Sequence, residues 1–488
     1  GSSGYLSEDA FQLNFGLGNR KRVDLVRVIW PSGIRQAQAN VAAQECVAFT
    51  ELGKKASCPI LFSWDGTRYQ FVTDFLGAGF IGLWLTPGQH YYPDPTEYIK
   101  IDRHLLRPKN DKYSLRLVEL MEEVDYFDEV KLYVIDHPED VEIYPNERLL
   151  MVPPWPKYHI HVVKNARPPV TAVDDWGNDI LPLISKRDRN YPTNFRLFPF
   201  PYIGYAETHS IVLDLGDLSG AKKILLVMHG WTDYWNSTGN FFAYHDGMPL
   251  IAPYLQVVDK NGNWKTVIED MGYPAGLPKT MTLDLTDKFL TDDYRVKITT
   301  NMRIYWDEIL VSTFAEEIPI RTTILAPSIA RLQWKGFPKY YSPDGKEPLE
   351  YDYYQALPEA LWDDQPGYYT RYGDVRELLM QTDDKFVIAG HGDEVALEFA
   401  ADSVPELPAG WTRDFLLFVD GFVKEKDPYT AFSSTVAPLP FHEMSNYPYG
   451  EDESYPMDKE HLRYIKEYNT RKIGKLDQFG QILSDSGQ

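Results

Sequence analysis

Cysteine is almost missing from this chain: among 488 residues only Cys46 and Cys58 occur. Their spacing permits one small-loop disulfide or two buried thiols, and no disulfide framework. No Cys-x-x-Cys-His occurs, which excludes covalently attached haem. No run of about 20 apolar residues exists, which excludes a membrane-spanning helix. Basic charge is scarce: 49 Lys and Arg face 71 Asp and Glu, a net charge of −22 with no basic run. Nucleic acid is therefore excluded as a partner. Such acidity suits solubility, divalent cations such as Ca²⁺, or a cationic protein partner. Helix-period patterns are nearly absent; only residues 458–468, with Met457, Leu462 and Ile465 on one side, predict a helix. The opening Gly1-Ser2-Ser3-Gly4 carries neither an initiator Met nor a signal-peptide pattern.

What the chain does have is aromatics and proline. Aromatics make up 14 %, with 33 Tyr and 12 Trp, and 35 prolines are spread throughout. Proline disfavours long helices, while Tyr and Trp favour short strands joined by ordered loops. The expected fold class is mainly β: several β-sandwich or jelly-roll-like domains with few short helices. At this length roughly three domains follow. Residues 295–311 are the clearest β segment. Val296 and Ile298 alternate with Arg295 and Lys297. Ile304, Trp306, Ile309 and Val311 continue the pattern, with a register change near Asp307 and Glu308 that a bulge would explain. The segment reads as two short strands with a bend at Thr300 and Asn301. Hairpins are signalled at Asp65-Gly66 and at Asn261-Gly262.

The N-terminal stretch carries a family resemblance. Phe11-Gln-Leu-Asn-Phe-Gly-Leu-Gly18, followed by Val23-Asp-Leu-Val-Arg-Val-Ile-Trp-Pro-Ser-Gly33, resembles the ASPIC/UnbV domain, and so does Ser3-Gly4-Tyr5-Leu6-Ser7. The residues agree with that reading: Val23, Leu25 and Arg27 alternate with Asp24, Val26 and Val28. Trp30-Pro31-Ser32-Gly33 is a turn, and a second strand starts at Ile34. Residues 58–74 are similar to a segment downstream of ASPIC/UnbV or FG-GAP regions in large bacterial extracellular proteins. Residues 412–421 and 438–449 look like the same proteins. The resemblance implies secretion and an adhesion-like role. In that family the domain commonly follows FG-GAP repeats, an integrin-like β-propeller. None is visible here, so the resemblance implies a longer N-terminus before Gly1, where most Ca²⁺ would bind.

The expected organisation is a partial ASPIC/UnbV-like β domain over 1–56 and a β domain over 57–150 that opens with a Cys-Pro…Trp-Asp-Gly hairpin. A connector follows over 151–195, then a jelly-roll-like sandwich over 196–315. A β-rich domain with an extended Tyr/Pro-rich tail takes 316–488. Residues 225–231 look like a hydrolase strand running into an oxyanion loop. The Gly-x-Ser-x-Gly elbow that such a fold needs is absent, and strands do not alternate with amphipathic helices.

Candidate ligand residues are Trp231, Asp233, Tyr234, Trp235, Asn236, Asn240 and Tyr244, a mix that can stack on and hydrogen-bond a sugar ring. The competing reading is that these aromatics cap the core. His159 and His161, two apart on an expected strand, point the same way and can chelate Zn²⁺ or Cu²⁺. Asp174, Asp175, Asn178 and Asp179 offer oxygens to Ca²⁺ but fall short of the EF-hand spacing; an acidic turn competes. Asp125, Asp128 and Glu129 sit near an expected turn, as a metal site or as solvated acids. His391 with Asp393 at a Gly-flanked turn offers a catalytic pair, against which stands the use of such residues in tight turns for backbone reasons.

No catalytic constellation emerges. The expectation is a non-catalytic extracellular or cell-envelope binding or scaffold module that engages a polysaccharide or a protein partner. A structural accessory subunit would show a large exposed apolar face. A carbohydrate-active enzyme would show a cleft holding an Asp or Glu pair, one of them with a raised pKa.

Overall fold

A computed structural model of the chain describes residues 2–4, 7–8, 13–30, 35–49, 59–121, 123–193, 195–357 and 365–474. The fold is mainly β: strands make up 43 %, and among the described residues only two α-helices occur. Near the N-terminus Arg22–Ile29 pairs antiparallel with Arg35–Ala42, Val23 opposite Val41. The turn residues Pro31, Ser32 and Gly33 lie outside the described residues, as does Cys58; Cys46 is exposed.

Three antiparallel sheets form the body. A six-stranded sheet runs in the order Gly373–Asp374, Ile329–Trp334, Asp393–Ala400, Lys112–Val118, Ile60–Trp64, Tyr69–Asp74. A five-stranded sheet runs Arg321–Leu325, Glu123–Pro138, Trp411–Glu425, Thr96–Ile101, with Val387–Gly390 also on the Glu123–Pro138 strand. These two sheets share a core: Leu115, Leu117, Leu397 and Phe399 of one join Val130, Leu132, Phe415 and Leu417 of the other. The pattern behind this is period-2 alternation, as in Thr96–Ile101, where every second residue is buried. Strands from 60–138 and from 321–425 are thus hydrogen-bonded into the same sheets, although the sequence suggests separate blocks.

The third sheet takes residues 171–312: Thr171–Asp174, Tyr205–Asp214, Arg295–Ser312, Leu225–Asp233 and Lys279–Asp284, with Tyr254–Val258 and Trp264–Ile268 attached. Residues 295–312 are one strand of 18 residues, not two. The strand changes partners at Thr300 to Met302 instead of breaking. Tyr205–Asp214 and Tyr254–Val258 flank its first half, and Leu225–Asp233 flanks its second. The Asn301 side chain ties this switch point to Ile251 N and Pro249 O, at 2.8 and 2.9 Å. The bulge lies where the alternation breaks: His229 pairs with Glu308 and Gly230 with Trp306, leaving Asp307 as the extra residue.

Both hairpins form. At the first, Asp65 accepts hydrogen bonds from Thr67 N and Arg68 N, at 2.6 and 2.8 Å. At the second, Gly262 takes a φ of +79° that favours glycine. The tail from Lys426 to Gly474 lies against the five-stranded sheet, with Tyr464 OH donating to Phe386 O and Tyr126 OH to Val436 O, and buries Tyr447, Tyr455, Tyr464 and Tyr468. Its helix, Lys459–Glu467, is capped by Asp458.

Candidate functional site

The sequence-derived ligand residues are mostly inside. Trp231 stacks on Tyr305 with ring centroids 4.2 Å apart. Asp233 pairs with Arg303 at 2.8 Å. The Tyr234 ring meets Phe80 edge-on. Trp235 is buried. Asn236 caps the helix Ser237–His245 through Gly239 N, and Asn240 accepts from Tyr205 OH at 2.7 Å. Only Tyr244 is exposed. The packing is tight: a Cβ on Gly204, whose φ is +80°, would come within 2.2 Å of the Trp235 backbone. Gly204→Ala should therefore lower stability by more than the roughly 1–2 kcal/mol of left-handed strain alone, read from the urea midpoint.

The acidic metal candidates are also accounted for by hydrogen bonds. Asp174 accepts from Trp176 N, Asn178 N and Asn178 Nδ2, the pattern of an acidic turn. Asp175 binds Ser210 N and its hydroxyl. Asp179 accepts from Leu181 N at 3.0 Å. The His159 and His161 rings touch edge-on at 4.7 Å. Burial, with Lys223 and His159 nearby, lowers His161 to about 4. Asp125, Asp128 and Glu129 lie within the long strand Glu123–Pro138, not at a turn. His391 is buried, with Nδ1 3.1 Å from Met121 O.

What the fold does assemble is a cleft at the meeting of three sheet edges. Tyr69–Asp74, Thr96–Ile101 and Lys279–Asp284 are the outermost strands of their sheets. Val72 and Thr73, Tyr98 to Lys100, and Lys279 and Thr280 from these edges line a cavity of about 260 Å³, with Glu147, Arg187 and His229. A second cavity of about 200 Å³ shares Tyr98 and Glu147 and adds Asp94, Asn146, Lys157 and Tyr158. Tyr98 and Tyr158 stack with centroids 4.1 Å apart. Glu147 accepts from Tyr98 N at 2.9 Å.

Asp94 and Glu147 of this cleft, and Glu97 in a small cavity beside it that Glu147 also lines, are pushed up. Burial raises Glu97 to about 7; Lys279 holds it back, and Asp74 adds to the rise. Burial raises Asp94 to about 6. Burial, then Glu97 and Asp94, take Glu147 well above the carboxylate range. The shift favours the protonated form of Glu147, in which the carboxyl can donate as well as accept. His229 is the reverse case: burial, then Arg187 and Lys100, hold it neutral, with Nδ1 2.9 Å from Thr280 Oγ1. Perturbed acids in a cleft mark a functional-site candidate.

Sequence reasoning missed this site, although one signal existed. In Thr96-Glu-Tyr-Ile-Lys-Ile101, Glu97 occupies the same face as Ile99 and Ile101, an acid in a core register. A separate open groove of about 490 Å³ is lined by Trp176, Tyr254, Arg196, Glu207 and Lys297. Trp176 there is 68 % exposed.

Against known proteins, no curated protein and no solved structure matches the chain. No helix among the described residues is long and apolar enough to cross a membrane. A family model does match: the first 56 of the 488 residues fit the one described as ASPIC and UnbV, at residues 1–56.

Proposed function

We propose that this chain is an extracellular binding module that holds a carbohydrate in the three-edge cleft. The observation that carries the reading is Glu147, a carboxyl at the meeting of two cavities whose surroundings favour its protonated form, beside the stacked Tyr98 and Tyr158. Such a carboxyl donates to one hydroxyl and accepts from the next, and an aromatic face takes the apolar side of a sugar ring. Lys100, Arg187 and Lys279 supply further donors around the wall. The N-terminal family match supports placement outside the cell.

Calorimetry with neutral oligosaccharides tests this. Tyr158→Ala is expected to weaken binding about tenfold, and Trp176→Ala, in the separate groove, to leave it unchanged. The opposite pattern would move the ligand to the groove, and no binding by the wild type would remove the carbohydrate.

A second reading, a carbohydrate-active enzyme, is favoured by Glu97 and Glu147 lining one small cavity beside the cleft, both with raised pKa values. Under it, Glu147→Gln keeps oligosaccharide binding and loses hydrolysis. Absence of any hydrolysis by the wild type leaves the binding module.

A further inference from the structure

Asp128 is the extra residue of a bulge in the long strand Glu123–Pro138: Phe127 sits opposite Gly421, and Glu129 opposite Asp420. The bulge brings its carboxyl against the turn at Asp383 and Asp384 and against His442 of the tail. Asp128 Oδ2 accepts from Asp383 N and Asp384 N at 3.0 and 2.8 Å and lies 3.6 Å from His442 Nδ1. Asp384 Oδ1 is 2.7 Å from the same Nδ1. On the other side of the ring, Nε2 is 2.7 Å from Asp420 Oδ1. The Asp128 side chain is fully buried, yet its Oδ1 has no hydrogen-bond partner. Ligand atoms of Asp128, Asp384 and His442 all lie within 4.8 Å of one another.

We infer that His442 Nδ1, Asp384 and Asp128 bind a divalent transition-metal ion of the Zn²⁺ type, with Asp420 orienting the imidazole from behind. The donor set decides the class. One imidazole with two carboxylates suits Zn²⁺ and its neighbours, whereas Ca²⁺ takes six to eight oxygens. Asp420 completes a carboxylate–histidine–metal arrangement: by accepting the Nε2 proton it leaves the Nδ1 lone pair facing the two acids. An ion there also gives the buried Asp128 carboxyl the partner its Oδ1 lacks. His442 is 22 % and Asp384 15 % exposed at the side chain, which leaves a path of entry. The alternative is an imidazolium clamped between Asp384 and Asp420. Burial opposes that charge, but the hydrogen bonds to those two carboxyls raise His442 to about 10. That clamp leaves Asp128 Oδ1 unpaired.

The test uses the full chain, stripped with a chelator and dialysed against Zn²⁺ alone. One Zn²⁺ per chain is expected. His442→Gln and Asp384→Asn should each weaken it at least 100-fold, and Asp420→Asn by about 10- to 100-fold. His161→Gln should leave it unchanged. No tight Zn²⁺ on the wild type, or loss with His161→Gln instead of His442→Gln, would overturn the site. If the variants fail to fold, X-ray absorption at the zinc edge of the wild type decides. One imidazole nitrogen and carboxylate oxygens at about 2.0–2.2 Å are expected. Ligation without imidazole would overturn it.

Discussion

Replacing Arg471 by alanine is expected to lower the unfolding free energy by about 3–5 kcal/mol, because it leaves a buried carboxylate without its cation. Asp393 is wholly buried at the side chain. Arg471 Nη2 bonds Asp393 Oδ2, Nη1 lies 3.3 Å from Oδ1, and Nε donates to Thr370 O at 3.1 Å. The guanidinium also lies 4.4 Å from the Tyr372 ring centroid. Two further buried acids sit close by. Burial pushes up Glu119 and Asp125, and the Asp393 charge adds to the Asp125 rise. Without Arg471, Asp393 keeps Tyr372 OH and Gly390 N, at 2.8 and 2.9 Å, neither of which carries charge. The readout is the urea midpoint at unchanged slope. Arg471→Lys should recover only part of the loss, since it restores the charge without the planar fork. A loss below about 1 kcal/mol, the scale of a surface pair, would mean the tail is not held through this contact.

Stability should fall as the pH rises from about 4.5 to 7, and Glu97 should be a main cause. Its carboxyl moves from 4.5 to about 7 on folding, chiefly by burial. Between those values the folded chain keeps a proton that the unfolded chain has released, so raising the pH favours unfolding. Above about 7 both states are ionised and the slope ends. A shift of this size on a buried group corresponds to about 3 kcal/mol. Asp94, raised to about 6 by burial, acts in the same direction over a lower window. Denaturation curves at pH 5 and pH 8 should differ accordingly in the wild type, with about 3 kcal/mol of that difference removed in Glu97→Gln. Equal pH slopes in the two proteins would assign the titration to other acids.

Much of the local fold was legible. Asp65-Gly66 and Asn261-Gly262 form their hairpins because a turn is decided by the residues within it. The break in alternation at Asp307 announces its own bulge, and Leu462 and Ile465 lie on the one helix that the apolar period marks. The helix Ser237–His245 was not legible, since Gly239 and Asn240 weaken it; its Asn236 cap and its packing under Trp84 hold it. The cleft was hidden for a different reason. Glu97 and Glu147 are two among 71 acids, and only the meeting of three sheet edges removes them from water. The same holds for Trp231 and Trp235, whose composition suits a sugar as well as it suits a core. Asp128 looks like any strand-flanking acid until the pairing with Trp411–Glu425 leaves it over.

The shared sheets of residues 60–138 and 321–425 also bear on how the chain is made. Lys112 meets Glu398 across 286 residues of sequence, with the whole 171–312 sheet in between. On a ribosome adding roughly 5–20 residues per second, the Lys112–Val118 strand waits on the order of 15 to 60 s for its neighbour. The central sheet has all its strands by Ser312 and can close while synthesis continues. The first hairpins meanwhile expose the edge that Asp393–Ala400 will later cover. Nascent chains stalled before residue 393 should therefore be the ones that chaperones and aggregation claim.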